Sequence, residues 1–152
     1  MELTLVRHPR TRAAADVCIG WTDVELAPGW EPHVARIVRV VPAPDALHAS
    51  PLARCRLPAE RLGEAWGLAP RLDGRLRELH FGAWEGRRWA DIDRAESDPW
   101  AADYLRAAPP GGESYEALLA RLDAFLADLG ASFERVAVVA HAGSIRAVLV
   151  RC

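Results

Sequence analysis

The feature of this sequence that most constrains its fold is an apolar run that ends abruptly in an arginine and a histidine. Residues Leu3–Val6 read Leu-Thr-Leu-Val, and Arg7 and His8 follow at once. This apolar run predicts a buried strand over Glu2–Arg7. The strand is expected to end there because Pro9 cannot continue a central strand. Open α/β sheets bind ligands at the carboxyl ends of their strands, so Arg7 and His8 are candidates for a ligand site there.

A second apolar run near the other end of the chain has the same form. Residues Arg135–Ala140 predict a strand, and His141 follows it directly. A guanidinium group matches the oxygen atoms of a phosphate, and a neutral imidazole can act as a nucleophile. Two strands that each end in histidine, with arginine nearby, therefore indicate a phosphate site in which one histidine could attack phosphorus.

Strand and helix signals alternate along the chain. Short strands are predicted over Ala46–Ala49 and near Leu68–Leu72, with loops over Thr11–Gly29 and Asp73–Gly86. Hydrophobic spacing and turn residues predict helices over Trp30–Val41, Leu52–Trp66 (capped by Ser50 before Pro51), Arg88–Glu96, Trp100–Arg106, Tyr115–Leu129 (closed by Gly130) and from Ser144 onward. This alternation predicts an α/β fold with a mostly parallel central sheet and helices on both faces, in one domain over residues 1–152.

Composition excludes several classes of function. The formal net charge of -2 over 152 residues offers no basic footprint for nucleic acid, and no apolar run is long enough for a membrane span. Nothing at the N-terminus resembles a signal peptide, so a cytoplasmic location is expected. All 19 basic residues are arginine, which excludes Walker-type and Schiff-base lysine chemistry.

The three cysteines form neither paired motifs nor a zinc-ligand pattern, and no metal or cofactor is expected. Cys55 and Arg61 have the spacing of the signature loop in cysteine-dependent phosphatases. That loop needs glycine residues to bend its backbone around phosphate, whereas the residues here include Pro58 and no glycine. A helix is therefore the favoured interpretation of this segment.

Four blocks of the sequence resemble the signature blocks of the histidine phosphatase superfamily, which includes metal-independent phosphatases and the phosphoglycerate mutases. They are Arg7-His8, Ser50–Cys55, Glu78–Gly86 and His141–Gly143, in the family's order. Two further segments, Cys18–Leu26 and Gly111–Ser114, resemble the α-ribazole phosphatase branch. The resemblance implies a phosphoglycerate mutase-like three-layer sandwich. It is expected to be C-terminally short, because family members generally continue with another helix and strand.

The resemblance implies a catalytic role for His8 and for one glutamate. His8 would be the nucleophile, taking the phosphoryl group to form phosphohistidine. Glu78 would protonate the leaving alkoxide and later activate water. Glu85 lies in the same loop and is the rival candidate for that role, although the family register favours Glu78.

The resemblance also implies the residues that bind the phosphoryl group. Arg7, Arg54 and His141 would contact its oxygen atoms, and His141 is counted among the catalytic residues. The two arginines would also help to keep His8 neutral, because a like charge disfavours imidazolium. Where the family usually has glycine and then glutamate or glutamine, this chain has Pro9 and Arg10, so Arg10 is a further candidate phosphate ligand.

The function implied is that of a metal-independent phosphomonoesterase acting on a small molecule. The branch resemblance makes α-ribazole 5′-phosphate, from cobalamin biosynthesis, the candidate substrate. Two alternatives stay open: a mutase that passes the phosphoryl group to a second substrate, and a catalytically silent module that binds phosphorylated ligands. The residues do not fix the oligomeric state, and a dimer is compatible with them.

Overall fold

The computed structural model describes residues 1–129 and 133–151. The four strands in these ranges form one parallel sheet in the order β1-β4-β2-β3. In chain order the elements are β1 (Glu2–Arg7), α1 (Glu31–Val40), β2 (Ala46–Ala49), α2 (Ala53–Trp66), β3 (Arg71–Leu72), α3 (Arg94–Ala102), α4 (Tyr115–Leu129), β4 (Arg135–Ala140) and α5 (Ala142–Leu149).

The register of the sheet places the two predicted strand ends side by side. Arg7 on β1 is opposite Ala140 on β4. The backbone N–H of His8 then donates a hydrogen bond of 3.1 Å to the carbonyl of Ala140. On the other side of β4, the N–H of Ser50 donates to the carbonyl of Val139 at 3.0 Å. His8, Ser50 and His141 therefore leave the sheet at the same carboxyl edge.

Helices cover both faces of the sheet. On β4, Val136, Val138 and Ala140 pack in the core formed with α4 and α5. Ala137 and Val139, which point to the opposite face, pack with α1 and α2. This alternation follows from the period of two in a strand, and a central strand with both faces covered is apolar throughout. The predicted α/β three-layer sandwich is confirmed.

Most predicted elements are confirmed, and the deviations have local causes. The strands over Glu2–Arg7, Ala46–Ala49 and Arg135–Ala140 have the predicted bounds. The last helix begins at Ala142 rather than Ser144, since Ser144 caps the backbone of His141 from within the first turn. Gly130, predicted to close α4, lies outside the described residues.

The prediction of two polar helices, one on either side of Asp98-Pro99, was wrong. One helix, α3, runs through this point, and only a 3-10 turn over Trp89–Asp91 precedes it. The carboxylate of Asp93 accepts a hydrogen bond of 2.9 Å from the N–H of Ala95 and so fixes the start of α3.

None of the helices in the described residues is long and apolar enough to span a membrane.

Candidate active site

His8 follows directly on β1, and its hydrogen bonding defines its tautomer. Its Nδ1 lies 2.7 Å from the carbonyl oxygen of Pro9. Because a carbonyl only accepts, Nδ1 carries the proton and Nε2 keeps its lone pair. Burial, together with the positive charges of Arg54 and Arg7, lowers the pKa of His8 to about 4. The ring is therefore neutral near pH 7, with a nucleophilic nitrogen at Nε2.

His141 begins α5 with its ring edge-on to that of His8, with 5.2 Å between ring centroids. Its Nδ1 accepts a hydrogen bond of 3.2 Å from Arg54 Nε, and its Nε2 lies 2.9 Å from Ser50 Oγ. Burial, followed by the charge of Arg54, holds the pKa of His141 well below its usual range. Both ring nitrogens are engaged within the protein, so a contact with phosphate requires one of these bonds to exchange.

The hydrogen bond to His141 corrects the predicted role of Ser50. The N-cap of α2 is Leu52, and no side chain caps it. Ser50 Oγ lies at 3.5 Å from the N–H of Leu52, at the limit of a hydrogen bond, and makes its shorter contact with the imidazole. Ser50 therefore orients His141 instead of starting a helix.

Arg54 lies in the first turn of α2 and is 1% exposed. Besides its bond to His141, it donates to the carbonyls of Thr22 at 2.8 Å and Gly20 at 2.5 Å. These bonds engage each of its three nitrogen atoms once, and a guanidinium carries five N–H donors, so two remain for an anion. The side chain is thus held rigidly with donors to spare, as a phosphate site requires.

Glu78 is anchored through both its carboxylate and its backbone. The carboxylate accepts hydrogen bonds of 2.9 Å from the N–H groups of Leu79 and Gly143, the latter in the first turn of α5. Its backbone carbonyl accepts from Trp21 Nε1 at 2.8 Å and from Arg121 Nη2 at 2.8 Å. These contacts fix the carboxylate at the same edge of the sheet as the two histidines.

Glu85, the rival candidate, joins two loops. Its carboxylate accepts hydrogen bonds from the N–H groups of Trp21 at 2.7 Å, Thr22 at 2.5 Å and Phe81 at 3.2 Å. Burial alone would raise the pKa of Glu85, but these hydrogen bonds and one from the Thr22 hydroxyl outweigh it and lower the pKa. Glu85 accepts four hydrogen bonds that favour its ionised form, against two at Glu78, so it is the poorer proton donor of the two.

One cavity of about 200 Å³ brings five of the six predicted site residues together. Arg7, His8, Arg54, Glu78 and His141 all line it, and Glu85 does not. Arg10 is the exception. It lines an adjoining cavity of about 830 Å³, and its carbonyl pairs with the N–H of Ala27 at 2.9 Å.

Cys55 does not lie in a phosphate-binding loop. It sits in α2 with its thiol buried, and burial raises the pKa of that thiol. Arg61, which has the spacing from Cys55 found in cysteine-dependent phosphatases, is more than half exposed and pairs with Glu64 at 2.8 Å. Among the described residues, no group of three His, Cys, Asp or Glu side chains is placed to hold a metal ion.

Sequence reasoning missed a pair of charged residues behind Glu78. Arg121, on α4, donates to the carbonyls of Arg75, Arg77 and Glu78. Its guanidinium also pairs with the carboxylate of Glu113 at 2.7 Å. That carboxylate accepts in turn from the N–H of His80 at 3.0 Å. Glu113 belongs to the segment Gly111–Ser114, but no local pattern identifies Arg121, because the three carbonyls that it binds lie 43 to 46 residues away.

His8, held neutral, the buried Arg54 and the carboxylate of Glu78 therefore lie around one small cavity at the carboxyl edge of an α/β sheet. The model of the histidine phosphatase superfamily (branch 1) matches residues 3–152. The chain belongs to this superfamily, and the expected class of enzyme, a histidine phosphatase, is confirmed.

Relatives and solved structures agree with this family. The adenosylcobalamin/alpha-ribazole phosphatase of Salmonella typhimurium is 28% identical over 160 residues, covering 99% of this chain and 79% of the relative. The glucosyl-3-phosphoglycerate phosphatase of Mycobacterium tuberculosis is 37% identical over 163 residues, covering 97% and 73%. The crystal structure of the alpha-ribazole phosphatase from Shigella flexneri superimposes with a TM-score of 0.90 at 25% identity, covering 99% and 79%.

Proposed function

We propose that this protein hydrolyses phosphomonoesters through a phosphohistidine intermediate on His8, without a metal ion. The observation that carries this proposal is the shared cavity. A neutral imidazole with a free Nε2 lone pair faces the same small space as Arg54 and the Glu78 carboxyl group. A nucleophile, an anion ligand and an acid-base group are the parts that a two-step phosphoryl transfer needs.

In the first step, His8 Nε2 attacks phosphorus and forms an N–P bond while the ester P–O bond breaks. The departing alkoxide takes a proton from the Glu78 carboxyl group and leaves as an alcohol. The hydrogen bond from Nδ1 to the Pro9 carbonyl stabilises the positive charge that the imidazole acquires as the bond forms.

In the second step, Glu78, now a carboxylate, removes a proton from a water molecule that attacks the phosphohistidine. The new P–O bond forms as the N–P bond breaks, which releases inorganic phosphate and restores His8 with its lone pair and Glu78 with its proton. The geometry supports Glu78 in both steps, because its carboxylate lines the cavity and is fixed by two backbone N–H groups.

Positive charge for the transition state comes from the chain itself. Phosphoryl transfer spreads negative charge over three oxygen atoms, and preorganised donors stabilise that charge. Arg54 offers two N–H groups beyond those it uses within the protein, and Arg7 lines the same cavity. This supply of fixed cationic donors supports activity in the presence of a chelator.

The relatives suggest two candidate leaving groups. Similarity to alpha-ribazole phosphatases supports α-ribazole 5′-phosphate as substrate, which would place the protein in cobalamin biosynthesis. The higher identity to a glucosyl-3-phosphoglycerate phosphatase supports a phosphorylated sugar acid instead. Both names describe hydrolysis, which favours transfer to water over the mutase alternative.

The experiment that tests this proposal traps the intermediate. Purified protein is mixed with p-nitrophenyl phosphate in the presence of EDTA, quenched in base and digested, and the peptides are analysed by mass spectrometry. We expect one phosphoryl group on His8 that is stable in base and lost in acid. The label should be absent from His8→Ala and present in His33→Gln, which removes a different histidine.

Turnover without this label, or turnover that requires added Mg²⁺ or Zn²⁺, would overturn the mechanism. Orthovanadate, which mimics five-coordinate phosphorus, should inhibit. Incubation with 3-phosphoglycerate should release inorganic phosphate and form no 2-phosphoglycerate, whereas efficient interconversion would support a mutase. Phosphate binding with no turnover of any phosphomonoester would support the silent module.

A further inference from the structure

The second cavity, of about 830 Å³, opens beside the one that holds Glu78. Arg7, His8 and Thr11 line both, so the two cavities adjoin at the nucleophile. The larger space is of the size that takes an organic ligand. If the small cavity receives the phosphoryl group, the large one is where the leaving group must lie.

The large cavity is positively charged in a chain that is acidic overall. Arg7, Arg10 and His33 line it, and none of its twelve lining residues is a carboxylate, although the sequence carries 21 acidic residues against 19 basic ones. The imidazole of His33 lies close enough to His8 to be among the groups that lower the pKa of His8. Arg7, Arg10 and His33 therefore line the same cavity as the reacting imidazole.

Arg10 is presented to this cavity by a fixed backbone. The carbonyl of Arg10 accepts from Ala27 at 2.9 Å, and the N–H of Arg12 donates to the carbonyl of Glu25 at 2.9 Å. The neighbouring Arg12 side chain forms an ion pair with Glu25. Within residues 1–129 and 133–151 the Arg10 guanidinium makes no ion pair or hydrogen bond with the protein, so its charge is left for a ligand.

The rest of the lining is largely apolar. Trp30, Pro28 and Ala27 contribute apolar surface to the lining, and this surface suits the carbon skeleton of a ligand. An apolar wall beside two arginines and an imidazole, with no carboxylate in the lining, is complementary to an organic anion.

We infer that Arg10 and His33 form an anion subsite, and that the preferred substrate is a phosphomonoester whose leaving group carries a second anionic group. This inference rests on the proposed function, because it assumes that the phosphoryl group occupies the cavity with His8 and Glu78. It favours a phosphorylated sugar acid over α-ribazole 5′-phosphate, whose leaving group is an uncharged nucleoside.

The test compares matched substrates that differ only in the second charge. In the first pair, 3-phosphoglycerate carries a carboxylate that glycerol 3-phosphate lacks. In the second pair, fructose 1,6-bisphosphate carries a second phosphate that fructose 6-phosphate lacks. We expect kcat/KM to be about 1.4- to 5-fold higher for the member with the second anionic group at low ionic strength, because an exposed charge pair contributes roughly 0.2–1 kcal/mol and salt screens it.

Variants assign the preference to its residues. Arg10→Gln and His33→Gln should each reduce the ratio of kcat/KM between the anionic and neutral substrates, mainly through KM. Arg36→Gln, which removes an exposed arginine of α1 that does not line the cavity, should leave the ratio unchanged. An equal kcat/KM within both pairs, or a ratio that Arg10→Gln and His33→Gln do not change, would overturn the inference.

A binding measurement separates failure of the subsite from failure of the proposed function. His8→Ala cannot form phosphohistidine, so calorimetry on this variant measures affinity without turnover. A higher affinity for 3-phosphoglycerate than for glycerol 3-phosphate, lost on adding Arg10→Gln, supports the subsite even if the wild type proves inactive. Turnover of both substrates with equal affinities contradicts the subsite and leaves the proposed hydrolysis standing.

Discussion

The carboxylate of Glu78 lies in the space that a side chain at position 143 would need. A Cβ atom built on Gly143 would overlap Glu78 Oε1, while the N–H of Gly143 donates to Oε2 at 2.9 Å. Glycine is therefore required at the start of α5 for two reasons. Glycine leaves room for the carboxylate of Glu78, and it lets the N–H groups at the helix N-terminus bind that carboxylate directly.

Gly143→Ala is expected to reduce kcat about 10²-fold with little effect on folding, because a displacement of about 1 Å at a catalytic group can cost that much. Gly74→Ala is the matched control. A Cβ there meets only Arg77 Nη1, at 3.9 Å, so its kcat should stay close to that of the wild type. Steady-state kinetics and thermal denaturation of the two variants provide the measurement.

A double-mutant cycle shows whether Gly143 acts through Glu78. In the Glu78→Gln background, adding Gly143→Ala should cost much less than it does in the wild type, because the group that it displaces has already lost its function. Additive losses in kcat would mean that Gly143 contributes in some other way.

The sequence predicted the positions of His8 and His141 because an apolar run and the polar residue after it are local signals. The partners of Glu78 carry no such signal, since Gly143 lies 65 residues further along the chain. Ser50 was misassigned for a related reason. A serine before a helix has the same local pattern whether it caps that helix or orients an imidazole 91 residues away.

Pro99 shows the opposite limit. The sequence predicted separate helices over Arg88–Glu96 and Trp100–Arg106, and a proline between them agrees with such a break, because proline inside a helical pattern usually ends or kinks a helix. In the structure α3 continues through Pro99, and Trp100 packs on Trp84 with 5.5 Å between ring centroids. Burial of aromatic surface at this contact outweighs the local preference, and tertiary packing of that kind is not visible in the sequence.

Glu78→Gln should reduce catalysis, whereas Glu85→Gln should reduce stability. Loss of the acid at Glu78 should lower kcat about 10²- to 10⁴-fold on glycerol 3-phosphate, and less on p-nitrophenyl phosphate, whose leaving group needs no proton. Glu85→Gln removes a charge that accepts hydrogen bonds from both Trp21 and Thr22, so it should lower the free energy of unfolding. Kinetics on both substrates and urea denaturation test this, and equal leaving-group dependence in the two variants would contradict it.

Arg121 is expected to act as a positioning residue. Arg121→Ala leaves Glu113 without its partner at a site where both side chains are only 16% exposed, and should cost on the order of 3 kcal/mol of stability. It also frees the carbonyl of Glu78, so kcat should fall while KM changes little.

Rescue by a conservative variant separates positioning from stability alone. Arg121→Lys keeps the charge but cannot donate to three carbonyls and a carboxylate together, so it should restore more of the stability than of kcat. The matched control is Arg106→Ala, which removes an arginine whose side chain is 73% exposed and should change neither quantity appreciably. A kcat for Arg121→Ala equal to that of the wild type would exclude the positioning role.

The low pKa of His8 makes the stability of the protein depend on pH. In the folded state the pKa is about 4, because the ring is partly buried and lies near Arg54 and Arg7, against 6.5 for an unperturbed histidine. Below pH 6.5 the unfolded chain binds a proton at His8 that the folded chain does not bind until about pH 4. The free energy of unfolding should therefore fall as the pH drops through this window.

Between pH 7 and pH 5 the contribution of His8 to this loss should be on the order of 1–2 kcal/mol. His8→Gln has no imidazole to titrate, so urea denaturation should show a smaller loss of stability for this variant than for the wild type over the same interval. Titration of the imidazole by NMR should place the midpoint for His8 near pH 4. A midpoint near 6.5, with equal losses in the two proteins, would mean that His8 is solvated and is not held neutral by its surroundings.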